Sequence, residues 1–368
     1  MSLEFIGLIA PQEGSESQAP HGPIVDVAFI KAFAQAQEYG GFDKVLLAVN
    51  TSAPDSLVLA SYVAAVTDKI GLLVAHRPGF QAPTFAARQL ATLDHLSHGR
   101  ASINVITGGD SGDLQRDGDF LDKDDRYART SEYLDVVRKT WTSTVPFDHQ
   151  GEHYRIEDNL TLVKPVQKPH LPIYFSGASD AAVEVAAKHA DVYMMWGEPL
   201  EQVRERIAAV RKAAARYGRE KHIRFSLSLR PILGATEDEA WARAQRILDD
   251  ARELISQRQG KRREKNFGTS NAGSSRLVEL ASQRKVHDKR LWTEIAALTG
   301  AAGNSTSLVG TADQVAEAAL DYYNAGVSTF LFRGFEQLRD GVEYGKDLLP
   351  RIRGLVAQQE TTQKIQNG

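Results

Sequence analysis

Eight short apolar segments recur along the 368-residue chain, and most are followed by a segment with helical periodicity. Their residues are apolar nearly throughout, which is typical of parallel strands covered on both faces. This alternation predicts an α/β fold, either a (β/α)8 TIM barrel or an open, doubly wound sheet. Because no domain break is obvious, we expect a closed barrel in one domain spanning residues 1–368. The predicted strands are Glu4–Ala10, Lys44–Val49, Ile70–His76, Ala101–Thr107, Pro172–Gly177, Asp191–Gly197, Arg224–Leu233 and Thr329–Phe335.

Helical segments lie between these strands. In Asp26–Gly41, Asp26 is suited to cap the first turn, and the Gly-Gly pair is suited to end the helix. Further predicted helices are Thr84–Leu96, Asp125–Trp141, Asp180–His189, Pro199–Tyr217, Asp238–Gln257, Thr311–Ala325 and Asp340–Leu349.

Two segments exceed a minimal barrel. Residues 145–171 contain turn residues and prolines, which predicts a hairpin or extended excursion before the fifth strand. Residues 256–307 follow the seventh strand and include a basic run, Lys261–Lys265. Long loops in compact domains are either functional or disordered surface insertions. Because residues 256–307 follow a strand at the active-site face of the barrel, we favour a mobile lid insertion.

Composition narrows the class of protein. The chain is 42% hydrophobic and 25% charged, with a formal net charge of −3, which argues against a general nucleic-acid or membrane binder. It has no cysteine, which excludes disulfides, thiolate metal sites and cysteine nucleophiles. No secretory signal or apolar run of membrane-spanning length is apparent. We therefore expect a soluble, cytoplasmic protein.

The segment Gly108–Tyr127 carries seven aspartates in twenty residues. A calcium loop starting at Asp113 would put Asp124 at the twelfth position, where an EF-hand uses a bidentate Glu. A strand precedes the segment rather than a helix, so it predicts the connection after strand four and no metal site. We expect the aspartates to cap helices, form turns and pair with arginines such as Arg116 and Arg126.

Active sites of (β/α)8 barrels form at the carboxyl ends of the strands, so polar residues there are the candidates. The segment after strand five could bind a phosphate at a helix N-terminus, although a simple serine cap explains the same residues. Likewise, Trp196 could belong to the core, and His76 and Arg77 could contact the aspartate-rich segment Gly108–Tyr127. The candidates are His76, Arg77, Asn104, Thr107, Gly177, Ala178, Ser179, Trp196, Arg230, Arg333 and Phe335.

The run RPGFQAPTFAARQLATLDHLSHGRASINVITGGD resembles the bacterial luciferase-like flavin monooxygenases, and within them the FMNH2-dependent alkanesulfonate monooxygenases. The likeness continues through DRYARTSEYLDVVRKTW, PIYFSGASDAAVEVAAKHADVYMMWGEP and SLVGTADQVAEAALDYYNAGVSTFLFRGF. It implies a two-component system in which an NAD(P)H-dependent flavin reductase supplies reduced FMN, which forms a flavin (hydro)peroxide with O2. The substrate implied is a small polar or anionic organosulfur compound, converted to sulfite and an aldehyde. A homodimer or homotetramer is also implied.

The resemblance also assigns residues. Asn104 and Thr107 would contact the isoalloxazine ring with Ala75 and His76 beside it, and the basic run at 261–265 would close over the site. The phosphate end would be held by Tyr127, Gly177, Ala178 and Ser179, and Trp196 would be an active-site tryptophan.

The substrate half departs from the alkanesulfonate pattern. An Arg-Leu-His motif on strand seven is replaced by Ser228, Leu229 and Arg230, and a tyrosine on strand eight is replaced by Phe335. The lid arginine of the alkanesulfonate enzymes aligns near Thr299 of this chain, and their cysteine after strand two aligns near Ala53.

These departures leave Arg230 as the first candidate anion clamp and Arg77 as the second. They also leave two alternatives open. One is hydride transfer with a flavin or deazaflavin, and the other is a catalytically silent flavin-binding paralogue.

Overall fold

The computed structural model describes residues 3–259, 272–301 and 306–367. Eight strands close into a barrel, so the predicted (β/α)8 fold is confirmed. Their order around the barrel is Glu4–Ile9, Thr329–Phe332, Arg224–Leu229, Val192–Trp196, Ile173–Ser176, Ala101–Val105, Gly71–His76 and Lys44–Leu47. Each predicted strand segment contains one barrel strand. The strands are β1 (Glu4–Ile9), β2 (Lys44–Leu47), β3 (Gly71–His76), β4 (Ala101–Val105), β5 (Phe147–Gln150), β6 (Arg155–Asn159), β7 (Ile173–Ser176), β8 (Val192–Trp196), β9 (Arg224–Leu229), β10 (Ile232–Leu233), β11 (Val286–His287), β12 (Leu291–Trp292), β13 (Ser307–Gly310) and β14 (Thr329–Phe332).

Each predicted helical segment overlaps a helix of the structure, but the helices Ser56–Val66 and Leu349–Asn367 lie almost entirely outside the predicted segments. Asp26 caps α1 by accepting a hydrogen bond from the Phe29 N–H at 2.9 Å, as expected. The helices are α1 (Val27–Tyr39), α2 (Ser56–Val66), α3 (Pro83–Leu96), α4 (Ser111–Arg116), α5 (Lys123–Thr142), α6 (Asp180–His189), α7 (Leu200–Ala215), α8 (Glu237–Gln259), α9 (Ala272–Gln283), α10 (Glu294–Thr299), α11 (Ala312–Asn324), α12 (Gln337–Glu343) and α13 (Leu349–Asn367), with a π-helical turn at Tyr344–Leu348. None of the helices in the described ranges is both long and apolar enough to cross a membrane.

The chain forms two compact units. The first comprises residues 3–43, 195–207 and the described part of 225–367, and it contains β1, β9 and β14. The second comprises residues 44–194 and 208–224, and it contains β2, β3, β4, β7 and most of β8. A single domain therefore stays a prediction.

In the first unit, β14 pairs in parallel with both β1 and β9. A second sheet, in the order β10-β13-β12-β11, was not predicted. It lies partly in the predicted lid region, where residues 272–301 form α9, β11, β12 and α10. Leu277, Leu280 and Ala296 are buried together there. The basic run at 261–265 lies outside the described residues, so its role in a lid stays a prediction.

In the second unit, parallel pairing runs continuously through β2, β3, β4, β7 and β8. Residues 145–171 contain an antiparallel hairpin of β5 and β6. Glu132 of α5 anchors that hairpin, because its carboxylate accepts bonds from the His153 and Tyr154 N–H groups at 2.9 and 2.8 Å. It also contacts His149 Nε2 at 2.9 Å.

Candidate active site

Three adjacent strand ends of the second unit bring predicted ring-contact residues together. Ala75 of β3 is the register partner of Asn104 of β4, and Asn104 is the partner of Tyr174 of β7. The Asn104 Oδ1 accepts a hydrogen bond from Ser176 Oγ at 3.2 Å. Ala75 and Asn104 are both buried, so they offer a surface of fixed shape at the carboxyl ends of these strands.

Thr107 follows β4 and is fixed by the helix after it. Its hydroxyl donates to Thr130 Oγ1 at 3.1 Å, and the Thr130 hydroxyl donates to the Arg126 carbonyl at 2.8 Å. The proton of the Thr107 hydroxyl is thereby used within the protein, so its oxygen remains able to accept a hydrogen bond.

The segment between β7 and α6 is closely packed. A Cβ at Gly177 would lie 2.6 Å from Ala182 Cβ and 3.2 Å from Tyr127 Oη, and Gly177 adopts a φ of +153°. Only glycine therefore fits there without displacing its neighbours. Ser179 caps α6 through a 3.3 Å bond from the Ala182 N–H. Ala178 lies in the chain between these two residues.

The buried Tyr127 closes this segment from α5. Burial raises the pKa of Tyr127, and a hydrogen bond to the Ser179 side chain opposes that rise. The Tyr193 hydroxyl donates to the Gly177 carbonyl from β8. Tyr193 was missed by sequence reasoning, because its strand position indicated only a core residue. Four predicted phosphate-end residues, Tyr127 and 177–179, are thus near one another.

His76, at the end of β3, is half-buried and contacts α5. Its Nε2 lies 2.7 Å from the hydroxyl of Tyr133, another residue that sequence reasoning missed. Burial lowers the pKa of His76 to about 4, against a weaker opposing effect of Asp55. The ring is therefore neutral at neutral pH. The neutral ring can donate one hydrogen bond and accept another, but it supplies no positive charge for an anion.

Arg77 lies between carboxylates of the aspartate-rich segment. Its Nη2 pairs with Asp113, and its Nη1 lies 3.6 Å from Asp117 Oδ2. Thr51 ties the same segment down by donating to the Asp113 carbonyl at 2.8 Å. Arg77 thus has two carboxylate neighbours within the protein, which weakens it as an anion clamp.

The remaining aspartates largely act as expected. Asp110 and Asp122 cap α4 and α5, and Arg116 Nη1 lies 3.8 Å from Asp113. The prediction for Arg126 was wrong, because its guanidinium donates to the Leu121 carbonyl and to Ser111.

A cavity of about 410 Å³ opens beside the ends of β2 and β3. His76, Arg77 and Ala75 line it, together with Ala53, the position near the family cysteine. The second unit therefore combines a cavity, fixed strand ends and a helix N-terminus.

In the first unit, Arg230 follows β9 and is only 1% exposed. Its Nη2 donates to the Gly334 carbonyl at 2.9 Å, and its Nη1 donates to Glu16 Oε2 at 2.5 Å. The guanidinium lies 3.4 Å from the centroid of the Phe335 ring. Arg333 Nη2 donates to the other oxygen of Glu16 at 2.9 Å. A cavity of about 350 Å³ borders these groups.

The charges of this cluster are strongly coupled. Burial raises the pKa of Glu16, but Arg230 and Arg333 outweigh it and the pKa is about 2. Burial lowers the pKa of Arg230 to about 10, with Glu16 opposing the decrease. At neutral pH two guanidinium groups therefore face one carboxylate, for a net charge of +1. Glu16 was missed because 214 positions separate it from Arg230.

Trp196, the remaining predicted site residue, ends β8 and is half-buried. It packs against the cluster of Leu277, Leu280 and Ala296. Thr299, at the position of the family's lid arginine, donates its hydroxyl to the Ile295 carbonyl at 2.8 Å. The structure thus groups Trp196 with the insertion after β9.

Residues 3–329 match the family of luciferase-like monooxygenases. The match spans most of the chain. The chain belongs to the luciferase-like monooxygenase family.

Several solved structures are similar to this luciferase-like chain over most of its length. Riboflavin lyase, described with modified FMN and riboflavin, is 19% identical with a TM-score of 0.79, covering 96% of this chain and 92% of its own. EDTA monooxygenase from Chelativorans sp. BNC1 is 19% identical with a TM-score of 0.77, covering 96% and 94%. An F420-dependent secondary alcohol dehydrogenase is 15% identical with a TM-score of 0.68, covering 96% and 99%. At these identities the likeness establishes the fold.

Proposed function

We propose that the chain is a reduced-FMN- and O2-dependent monooxygenase of a two-component system, with an NAD(P)H-dependent flavin reductase as partner. Its proposed substrate is a small polar or anionic organosulfur compound such as an alkanesulfonate. In the overall reaction one oxygen atom ends in the aldehyde and the other in water, while sulfite is released and reduced FMN is oxidised. The observation that carries the proposal is the close-packed segment at Gly177, beside Tyr127 and the N-terminus of α6.

This segment fits the phosphate of FMN. The absence of a side chain at Gly177 lets Ala182 and Tyr127 pack closely against this segment, and N–H groups at the start of α6 favour an anion. The Tyr127 hydroxyl and Ser179 side chain are within reach of each other and can turn toward phosphate oxygens. We assign Tyr127, Gly177, Ala178 and Ser179 to the phosphate end.

The strand ends would hold the ring. Asn104 can donate from its amide, Thr107 presents an acceptor oxygen, and Ala75 leaves space beside them. Bound reduced FMN would supply the electrons for activation of O2. The half-buried and neutral His76 would help to exclude water while leaving the local charge unchanged.

We assign the substrate's anionic group to Arg230. Its cluster has a net charge of +1, and the ring of Phe335 covers one face of the guanidinium. Trp196 would cover an apolar part of the substrate. We further propose a cytoplasmic location and a homodimer or homotetramer, on the family resemblance alone.

A coupled assay tests this function. The chain, a flavin reductase, NADH and FMN are incubated with sulfonates, sulfones and non-sulfur analogues, and O2 consumption, sulfite and aldehyde are measured. We expect substrate-dependent O2 uptake with stoichiometric sulfite for at least one sulfonate. Turnover without O2 would refute a monooxygenase, and flavin binding without turnover across the panel would indicate a silent paralogue.

A second candidate is hydride transfer with a flavin or deazaflavin. The fold shared with an F420-dependent secondary alcohol dehydrogenase favours it. Anaerobic incubation with reduced deazaflavin or with an alcohol and oxidised deazaflavin distinguishes the two. A change in deazaflavin absorbance without O2 would support hydride transfer.

A further inference from the structure

Glu16 places a carboxylate between the two arginines of the first unit. It belongs to the loop between β1 and α1. Its Oε2 accepts from Arg230 at 2.5 Å and its Oε1 accepts from Arg333 at 2.9 Å. Each oxygen of one planar anion is therefore bound by a different guanidinium. The arginine pair is spaced to hold a two-oxygen anionic group.

The pair has capacity beyond Glu16. Arg230 is 1% exposed, and its buried Nε has no hydrogen-bond acceptor among the residues that the structure describes. These two guanidinium groups and one carboxylate leave a net charge of +1. The adjoining cavity of about 350 Å³ is lined by Glu16, Arg230 and Arg333 themselves. A small anion can therefore reach the same guanidinium groups that Glu16 binds.

The loop that carries Glu16 is suited to releasing it. No helix or strand includes residues 10–26, and the Glu16 side chain is 24% exposed rather than enclosed. Gln337 holds the loop through the Gly14 carbonyl at 2.6 Å, two residues away from Glu16. The side chain can therefore turn toward solvent while the loop backbone stays attached.

We propose that Glu16 is a resident substitute for the substrate's anionic group, and that a compact oxyanion displaces it from Arg230 and Arg333. The proposal rests on the proposed function in treating this cavity as the substrate cavity. A carboxylate or sulfonate replaces the lost contacts like for like, while the displaced Glu16 regains hydration. A neutral polar group cannot do so, because it would leave the buried guanidinium of Arg230 without its carboxylate partner. Glu16 therefore selects for anionic substrates.

Equilibrium binding to the full-length chain without flavin tests this selection. Isothermal titration uses 1-propanesulfonate, butyrate and the neutral butyramide as probes. In Glu16→Gln the two guanidinium groups lose the competing carboxylate, so we expect at least one of the two anions to bind about tenfold more tightly than to the wild type. Glu13→Gln is the matched control, because Glu13 lies in the same loop and pairs with His21 at 3.5 Å instead. It should bind the anions as the wild type does.

The two anions identify the headgroup. Tighter binding of propanesulfonate alone in Glu16→Gln would assign a sulfonate, and of butyrate alone a carboxylate. Unchanged or weaker binding of both anions in a folded Glu16→Gln chain would overturn the proposal. So would butyramide gaining as much affinity as the anions.

A second measurement needs no variant. Hydrogen–deuterium exchange of wild-type residues 12–20 should become faster at saturating anion, as Glu16 leaves the arginines. Unchanged or slower exchange would overturn the displacement even if Glu16→Gln fails to fold. Neither measurement requires FMN, O2 or turnover. A failed coupled assay with positive anion binding would therefore refute the proposed reaction alone.

Discussion

Replacing Glu16 by glutamine should destabilise the free chain through loss of charge alone. The amide has nearly the shape of the protonated acid, so the variant approximates the wild type with an uncharged Glu16. The pKa of Glu16 in the folded chain is about 2, compared with the ordinary glutamate value of 4.5. At about 1.4 kcal/mol per pKa unit, the ionised form is favoured by about 3 kcal/mol.

The dependence on pH follows from the direction of the shift. The folded pKa lies below the unfolded value, so the unfolded chain takes up the proton first as the pH falls. The contribution is complete above pH 4.5 and is lost progressively as the pH falls to about 2. Integrating the linkage leaves about 1.4 kcal/mol at pH 3. The difference between wild type and Glu16→Gln should shrink accordingly.

Urea denaturation at pH 7, 4 and 3 measures this difference. Glu13→Gln is again the control, and its free energy of unfolding should stay close to that of the wild type at each pH. A Glu16→Gln penalty below about 1 kcal/mol at pH 7 would refute the coupling to Arg230 and Arg333. An equal penalty at pH 7 and pH 3 would show that packing, and not charge, is responsible.

Three further predictions concern separate sites. Arg230→Ala should raise the substrate KM in the coupled assay at least about tenfold while FMN dissociation changes by less than about twofold, because Arg230 is assigned to the substrate, whereas Tyr127 and residues 177–179 are assigned to the flavin. Gly177→Ala should weaken FMN binding about tenfold or more by fluorescence titration, because its Cβ would lie 2.6 Å from Ala182 Cβ. Burial and nearby cations lower the pKa of His189 to about 2. Urea denaturation should therefore show a loss of about 1.4 kcal/mol per pH unit below about pH 6, where the unfolded histidine becomes protonated first, and His189→Gln should remove this slope.

The barrel could be predicted because each of its strands is an apolar run with a clear boundary. The seventh strand shows the limit of this signal. The sequence predicts one strand over Arg224–Leu233, whereas the structure ends β9 at Leu229 and pairs Ile232 with Val309 in another sheet. Pro231 provides the physical reason, since it has no N–H to continue the ladder. Two-residue strands such as β10 and β11 carry no periodicity that a sequence pattern could reveal.

The candidate site was only partly predictable for a related reason. Backbone features such as the close packing at Gly177 and the helix cap at Ser179 depend on residue types that can be recognised in the local sequence. The pairing of charges does not, because it depends on which distant segments the fold brings together. The sequence suggests Arg230 as an anion clamp, but the carboxylate that occupies it comes from 214 positions away.

Charge pairing also decides between the two candidate clamps. Arg77 has Asp113 and Asp117 beside it, and bonds from Arg77 and Thr51 lower the pKa of Asp113 despite its burial, so the carboxylate stays ionised. An anion approaching Arg77 would meet the carboxylates of Asp113 and Asp117, whose charge the guanidinium groups of Arg77 and Arg116 only balance. Like charges about 4 Å apart repel by about 4 kcal/mol near a protein surface, which cancels the attraction of the Arg77 guanidinium. At Arg230 the balance is reversed, with two cations and one displaceable carboxylate. Arg77 is therefore better explained as the residue that fixes the aspartate-rich segment, and the anionic substrate is better served by Arg230.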